Sequence, residues 1–122
     1  MNKLIISTAL FLVVINTSIA NTKELNLNNS HEIDAALKIH TSLMKVGKSV
    51  SSCYDSGNKH SACLCENKKE ITIFNKLVNT TLKKYPRWLK YKSLNFKKPD
   101  GTGVIIRPIA LKKQASMEAK CE

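Results

Sequence analysis

Acidic residues are scarce in this chain. Nine Asp and Glu stand against twenty Lys and Arg in 122 residues, for a formal net charge of +11. The nine are scattered, so no paired-carboxylate arrangement of the kind hydrolases use can be picked out. Glycine is thin as well, at four residues, and no nucleotide-binding motif occurs. Internal repeats and long low-complexity tracts are missing. Beyond Ile15 no stretch is apolar enough to cross a bilayer, which needs roughly 20 apolar residues in succession. These absences point away from an enzyme, and no cofactor is expected.

What is present begins with "MNKLIISTALFLVVINTSIANT". Lys3 gives a short basic start, Leu4 to Ile15 an apolar run, and Ser18 and Ala20 small residues at the −3 and −1 positions of a cleavage site. The pattern is that of a secretory signal peptide over residues 1–20, cut at Ala20–Asn21. The expected destination is the periplasm or the outside of the cell. Loss of Lys3 would leave nineteen basic and nine acidic residues, a net charge of +10. Export also sets the redox compartment, because disulfides persist outside a reducing cytosol.

From residue 21 the composition suggests a flexible lead-in over 21–29 and one small domain over 30–122. Asn29 and Glu32 have the spacing of a capping box. A helix is expected from about His31 to Ser52, with Ile33, Ala36, Leu37, Ile39, His40, Leu43, Met44, Val46, Gly47 and Val50 on a wide apolar stripe. After a turn at Gly57-Asn58, a second helix is expected from about Ala62 to Tyr85. Glu66 and Glu70 lie near its start and Lys83 and Lys84 near its end, as the helix dipole favours. Pro86 stops it. Pro99-Asp100-Gly101 signals a turn between two short strands, and Pro108 can open a last helix over Ile109–Lys120. The fold class is α+β and helix-rich: a stapled αα-hairpin, a short β-hairpin and a C-terminal helix.

Three of the four cysteines fall within "CYDSGNKHSACLCE". A zinc site would gather Cys53, His60, Cys63 and Cys65, but structural zinc sites usually pair their ligands two to four residues apart at both ends. A thioredoxin-type centre needs Cys-x-x-Cys at a helix start, and Cys63-Leu64-Cys65 is one residue short. An even cysteine count in an exported chain favours two disulfides. Pairing Cys63 with Cys65 would close a very small ring of poor geometry. That leaves Cys53–Cys63 with Cys65–Cys121, or Cys53–Cys65 with Cys63–Cys121. On a helical wheel Cys63 lies nearer the face that bears Leu64, Phe74 and Val78, which favours the first pairing.

The single residues that invite a role have plainer explanations. His40 on the apolar stripe reads as a core or boundary histidine, His31 and His60 as exposed ones. Gly47 reads as a point of close approach for the second helix, and Trp88 as a core or interface anchor. The Asn79-Thr80-Thr81 sequon falls on a helix. The distinctive surface feature is "KKYPRWLKYKSLNFKK", residues 83–98, which has no acid. Lys83, Lys84, Arg87, Trp88, Lys90, Lys92, Lys97 and Lys98 form a candidate patch for an anionic lipid, a polyanion or an acidic protein. Lys90 and Lys92, two apart, are expected on one strand face. The leading expectation is a non-enzymatic binding module for an anionic surface or polymer. The alternative is a secreted effector, inhibitor or toxin-like protein that grips a protein partner through the hairpin or Trp88. A thiol-redox or hydrolytic enzyme ranks third.

Overall fold

The computed structural model describes residues 23–118 and 121. The expected signal peptide, residues 1–20, and its expected cleavage at Ala20–Asn21 lie outside them. In chain order the elements are β1 (Glu24–Asn26), α1 (Ser30–Asp55), α2 (His60–Glu66), α3 (Lys68–Lys84), a 3-10 turn (Pro86–Lys90), β2 (Ser93–Lys97), β3 (Gly103–Ile106) and α4 (Pro108–Ala115). The class is α+β, with the expected helical hairpin, β-hairpin and closing helix.

Asn29 starts α1 as a cap. Its Oδ1 accepts from the backbone N–H groups of His31 at 2.8 Å and Glu32 at 3.4 Å. The capping box is only half made, because the Glu32 side chain turns to Arg87 and Trp88 instead. α1 packs on α3, and α3 packs on α4 and on the 3-10 turn. The expected second helix is broken at Asn67. Its side-chain Nδ2 donates to the Cys63 carbonyl at 2.8 Å, and this local bond competes with a continuous helix.

The polar lead-in is the first departure from expectation. Glu24–Asn26 is a strand, β1, running parallel to β2 with Leu25 opposite Leu94. The Leu27 N–H adds a bond to the Asn95 carbonyl at 2.8 Å. Leu25 and Leu27 alternate with polar neighbours, so one face of the strand is apolar. That face meets the core, where Leu27 is buried and Leu25 packs against it. The sheet order is β1-β2-β3, with β2 and β3 antiparallel.

At the hairpin tip the Gly101 N–H donates to the Lys98 carbonyl and the Lys98 N–H to the Thr102 carbonyl, both at 2.9 Å. Gly101 sits at φ 87°, in the left-handed region that glycine enters without strain. The expected turn is present. The last helix is shorter than expected, ending at Ala115. Ser116 Oγ donates to the Lys113 carbonyl at 2.6 Å and the Met117 N–H to the Gln114 carbonyl at 3.1 Å, which close the helix end. The chain then reaches Cys121, which is tied to Cys65.

One core joins sheet and helices. Leu94, Phe96, Val104 and Ile106 supply the sheet side, and Ile39, Phe74, Val78 and Leu82 the helix side, around a fully buried Trp88. Cys53–Cys63 and Cys65–Cys121 are both disulfides, the favoured connectivity. Cys63 is wholly buried while Cys65 is half-buried, as the helical wheel implied.

Candidate functional site

Tyr85 closes α3 with its N–H on the Thr81 carbonyl at 2.9 Å. Pro86 has no N–H to continue the helix, and Pro86–Lys90 coils as a 3-10 turn. This turn divides the candidate residues of 83–98 among several surroundings. Trp88 points into the core, its ring stacked on Tyr85 at 4.9 Å between centroids. Its Nε1 donates to Glu32 Oε1 at 3.4 Å. Trp88 is therefore a core anchor and not an interface one. Arg87 is committed too, in an ion pair with the buried Glu32. Lys84 lies over the Tyr85 ring at 5.6 Å, in cation–π range, and Lys83 is exposed at the end of α3.

The remaining cations divide between two ends of the hairpin. Lys90 closes the 3-10 turn and Lys92 precedes β2, so the expected shared strand face does not form. A proline-started turn took the residues that the alternation argument assigned to a strand. Lys97 and Lys98 stand at the tip. β2 advances about 3.4 Å per residue, so its two ends are about 14 Å apart. That exceeds the Debye length of about 8 Å at physiological ionic strength, and the two ends act as separate charges.

At the base the fold adds cations that local charge density does not reveal. The register Leu94 opposite Ile106 brings Arg107 to the Ser93 end of β2. Pro108 then starts α4, which carries Lys113 one turn beyond Ile109. Lys90, Lys92, Arg107 and Lys113 rim an open cleft of about 570 Å³. Leu89, Tyr91, Ile109 and Ala110 provide its apolar lining, and no acid lines it. All four cations are exposed, and among the described residues none of them forms an ion pair. The hairpin register and the packing of α4 on the 3-10 turn bring 90–92 together with 107–113. A local scan for charge has no access to either. The repeated basic residues of "IIRPIALKK" were the available hint.

The tip is electrostatically mixed. The Thr102 backbone N–H donates to Asp100 Oδ1 at 2.9 Å. That bond, helped by the Thr102 side chain and the charge of Lys98, holds the Asp100 carboxyl below its ordinary range. An ionised Asp100 beside Lys98 lowers the local positive potential. At the base no acid lines the cleft itself, while Glu24 of β1 stands opposite Ser93 and accepts from Asn95 Nδ2 at 3.2 Å.

A second concavity lies between α1, α2, α3 and α4. Leu43, Val46 and Val50 face Leu64, Ile71 and Phe74 across a groove of about 360 Å³. This is the middle of the expected core stripe, only half-buried, with Met44 60% exposed beside it. Gly47 has no atom within 4 Å of where a Cβ would stand, so it does not serve the close approach expected of it. His40 is half-buried and His31 exposed. His60, exposed, stacks on Tyr54 at 5.5 Å between centroids.

The cysteine cluster is a covalent staple. No described cysteine is free, so the sulfurs invoked for zinc are engaged. Glu66 Oε2 lies 3.4 Å from the Cys53 sulfur. Among the described residues no group of three or more His, Cys, Asp or Glu is arranged to hold a metal ion, and no helix is long and apolar enough to cross a membrane. Comparison with models of known protein families, with curated proteins and with solved structures gives no match.

Proposed function

We propose that the chain is an exported, non-enzymatic binding module that docks an anionic surface or polymer in the envelope or outside the cell. The observation that carries this reading is the acid-free cleft at the hairpin base, where Lys90, Lys92, Arg107 and Lys113 converge without ion-pair partners among the described residues. Four such cations around one cleft concentrate positive potential where a polyanion can reach it. The N-terminal sequence pattern and the two disulfides support the location, since disulfides persist in oxidising compartments. The competing picture of a secreted effector gripping its partner through Trp88 loses that anchor, because Trp88 is 0% exposed.

The test is binding of the oxidised protein to heparin and to anionic vesicles across a salt series. Binding should fall steeply with salt. Replacing Lys90, Lys92, Arg107 and Lys113 with Gln should abolish most of it, while K97Q/K98Q should change it much less. Absence of binding to either target at low salt would sink the reading. Salt-tolerant binding, unaffected by the fourfold variant, would point instead to a specific protein partner.

A further inference from the structure

We propose that the anionic target is a lipid bilayer, and that the exposed isoleucines beside the cleft enter its headgroup–acyl boundary. This rests on the reading of the cleft as an anion-binding site and adds a second chemistry to it. Charge alone would serve equally for a soluble polymer. The apolar side chains among the cations discriminate between the two.

Ile105 is 64% exposed and Ile109 59% exposed, among the most exposed large apolar residues described. They flank Arg107. Along β3 burial alternates, with Val104 and Ile106 inward and Ile105 outward. Arg107 keeps extended backbone at φ −115°, ψ 102°, so it continues that alternation on the outer face with Ile105. Ile109, in the first turn of α4, lines the same cleft as Arg107. Lys113 follows Ile109 by one helical turn and shares its face. The sequence of groups across this surface is thus apolar, cationic, apolar, cationic.

Branched aliphatic side chains gain nothing from a hydrated polyanion, where they stay in water. At an anionic bilayer both parts are used. Lys and Arg lay their stems along the surface with their charged ends at the headgroups, while apolar side chains pass below them, as in interfacial amphipathic helices. Tyr91 and Leu89, half-buried on the cleft lining, supply a floor that stays with the protein. Their packing against the core keeps the cations on a rigid base. No carboxylate lines the cleft to meet repulsion at anionic headgroups, and the one on the adjoining strand, Glu24, is engaged by Asn95 Nδ2 at 3.2 Å.

The experiment uses the oxidised full mature chain, vesicles of phosphatidylglycerol with phosphatidylcholine, vesicles of phosphatidylcholine alone, and heparin as the soluble polyanion. The variant is Ile105→Ser with Ile109→Ser, two exposed positions, its fold checked by circular dichroism and thermal melting. The wild type should sediment with the anionic vesicles and not with the neutral ones. The double variant should bind anionic vesicles roughly tenfold or more weakly, from the lost apolar burial, and bind heparin as the wild type does. Equal binding of both proteins to anionic vesicles overturns the insertion. Binding of the wild type to heparin but not to vesicles overturns the bilayer and leaves the anion site standing. Binding to neither removes both.

Discussion

Glu32 and Trp88 lie 56 positions apart, yet one carboxylate joins them. Glu32 is 6% exposed and accepts from the Arg87 guanidinium and the Trp88 indole N–H. A buried carboxylate is tolerated only where donors replace its lost water. Removing Arg87 leaves the long indole bond as its remaining described donor. The Arg87 side chain is itself half in solvent, so the cost belongs at the solvated end of the range for charged hydrogen bonds. We expect Arg87→Ala to lower stability by about 1–1.5 kcal/mol. Lys83→Ala, at an exposed position, should stay within about 0.5 kcal/mol. Urea denaturation of the two variants measures the contrast, and equal midpoints would mean that the ion pair contributes nothing. Trp88 offers a second check, being the lone tryptophan. Its emission should be blue-shifted and shielded from acrylamide in the native protein. Trp88→Ala should cost about 3–5 kcal/mol as a large core truncation. Native fluorescence that is fully quenchable would contradict the buried position.

At the scale of elements the two glycines Gly47 and Gly101 have opposite requirements. Gly101 holds a left-handed backbone at the hairpin tip, where a side chain is strained. Gly47 is helical and exposed on α1, with open space where an added methyl group would stand. Gly101→Ala should therefore destabilise by about 1 kcal/mol, while Gly47→Ala should stabilise by about 0.5–1 kcal/mol. Thermal melts of the two variants should move in opposite directions, and a stabilised G101A would refute the turn geometry. The same contrast explains what was legible in the sequence. Asn29, Pro86, Pro99-Asp100-Gly101 and Pro108 act through their own backbone and neighbours, so the boundaries they set could be read locally. The strand β1 could not, because "ELNL" becomes a strand only when β2, far along the chain, offers it a free edge. The break at Asn67 likewise depends on a side chain choosing the Cys63 carbonyl over solvent. The basic cleft was half legible: Lys90 and Lys92 stood out by charge density, whereas Arg107 and Lys113 join them through the hairpin register and the packing of α4 on the 3-10 turn.

For the molecule as a whole, the unequal reach of the two disulfides decides what holds the fold together. Cys53–Cys63 spans 10 positions and ties α1 to α2, its neighbour along the chain. Cys65–Cys121 spans 56 positions and ties Cys121, beyond α4, back to α2, across α3, the hairpin and α4. Loop-closure entropy gives the short ring about 3 kcal/mol and the long ring about 4 kcal/mol. A domain of this size has about 5–15 kcal/mol in total, and the half-open groove between α1, α2, α3 and α4 shows that the helices are not held by dense packing along their whole length. Replacing Cys65 and Cys121 with Ser should lower the melting temperature by at least about 15 °C, at roughly 4–8 °C per kcal/mol for a domain this small. Replacing Cys53 and Cys63 should lower it less, since the enclosed loop is shorter, although Cys63 also leaves a buried position. Full reduction should act as both together and bring the domain close to unfolding at body temperature. Differential scanning calorimetry of the four states (oxidised, each staple removed, reduced) tests the order. A larger loss from the Cys53–Cys63 pair would mean that packing around buried Cys63, and not loop closure, sets the contribution of the staples.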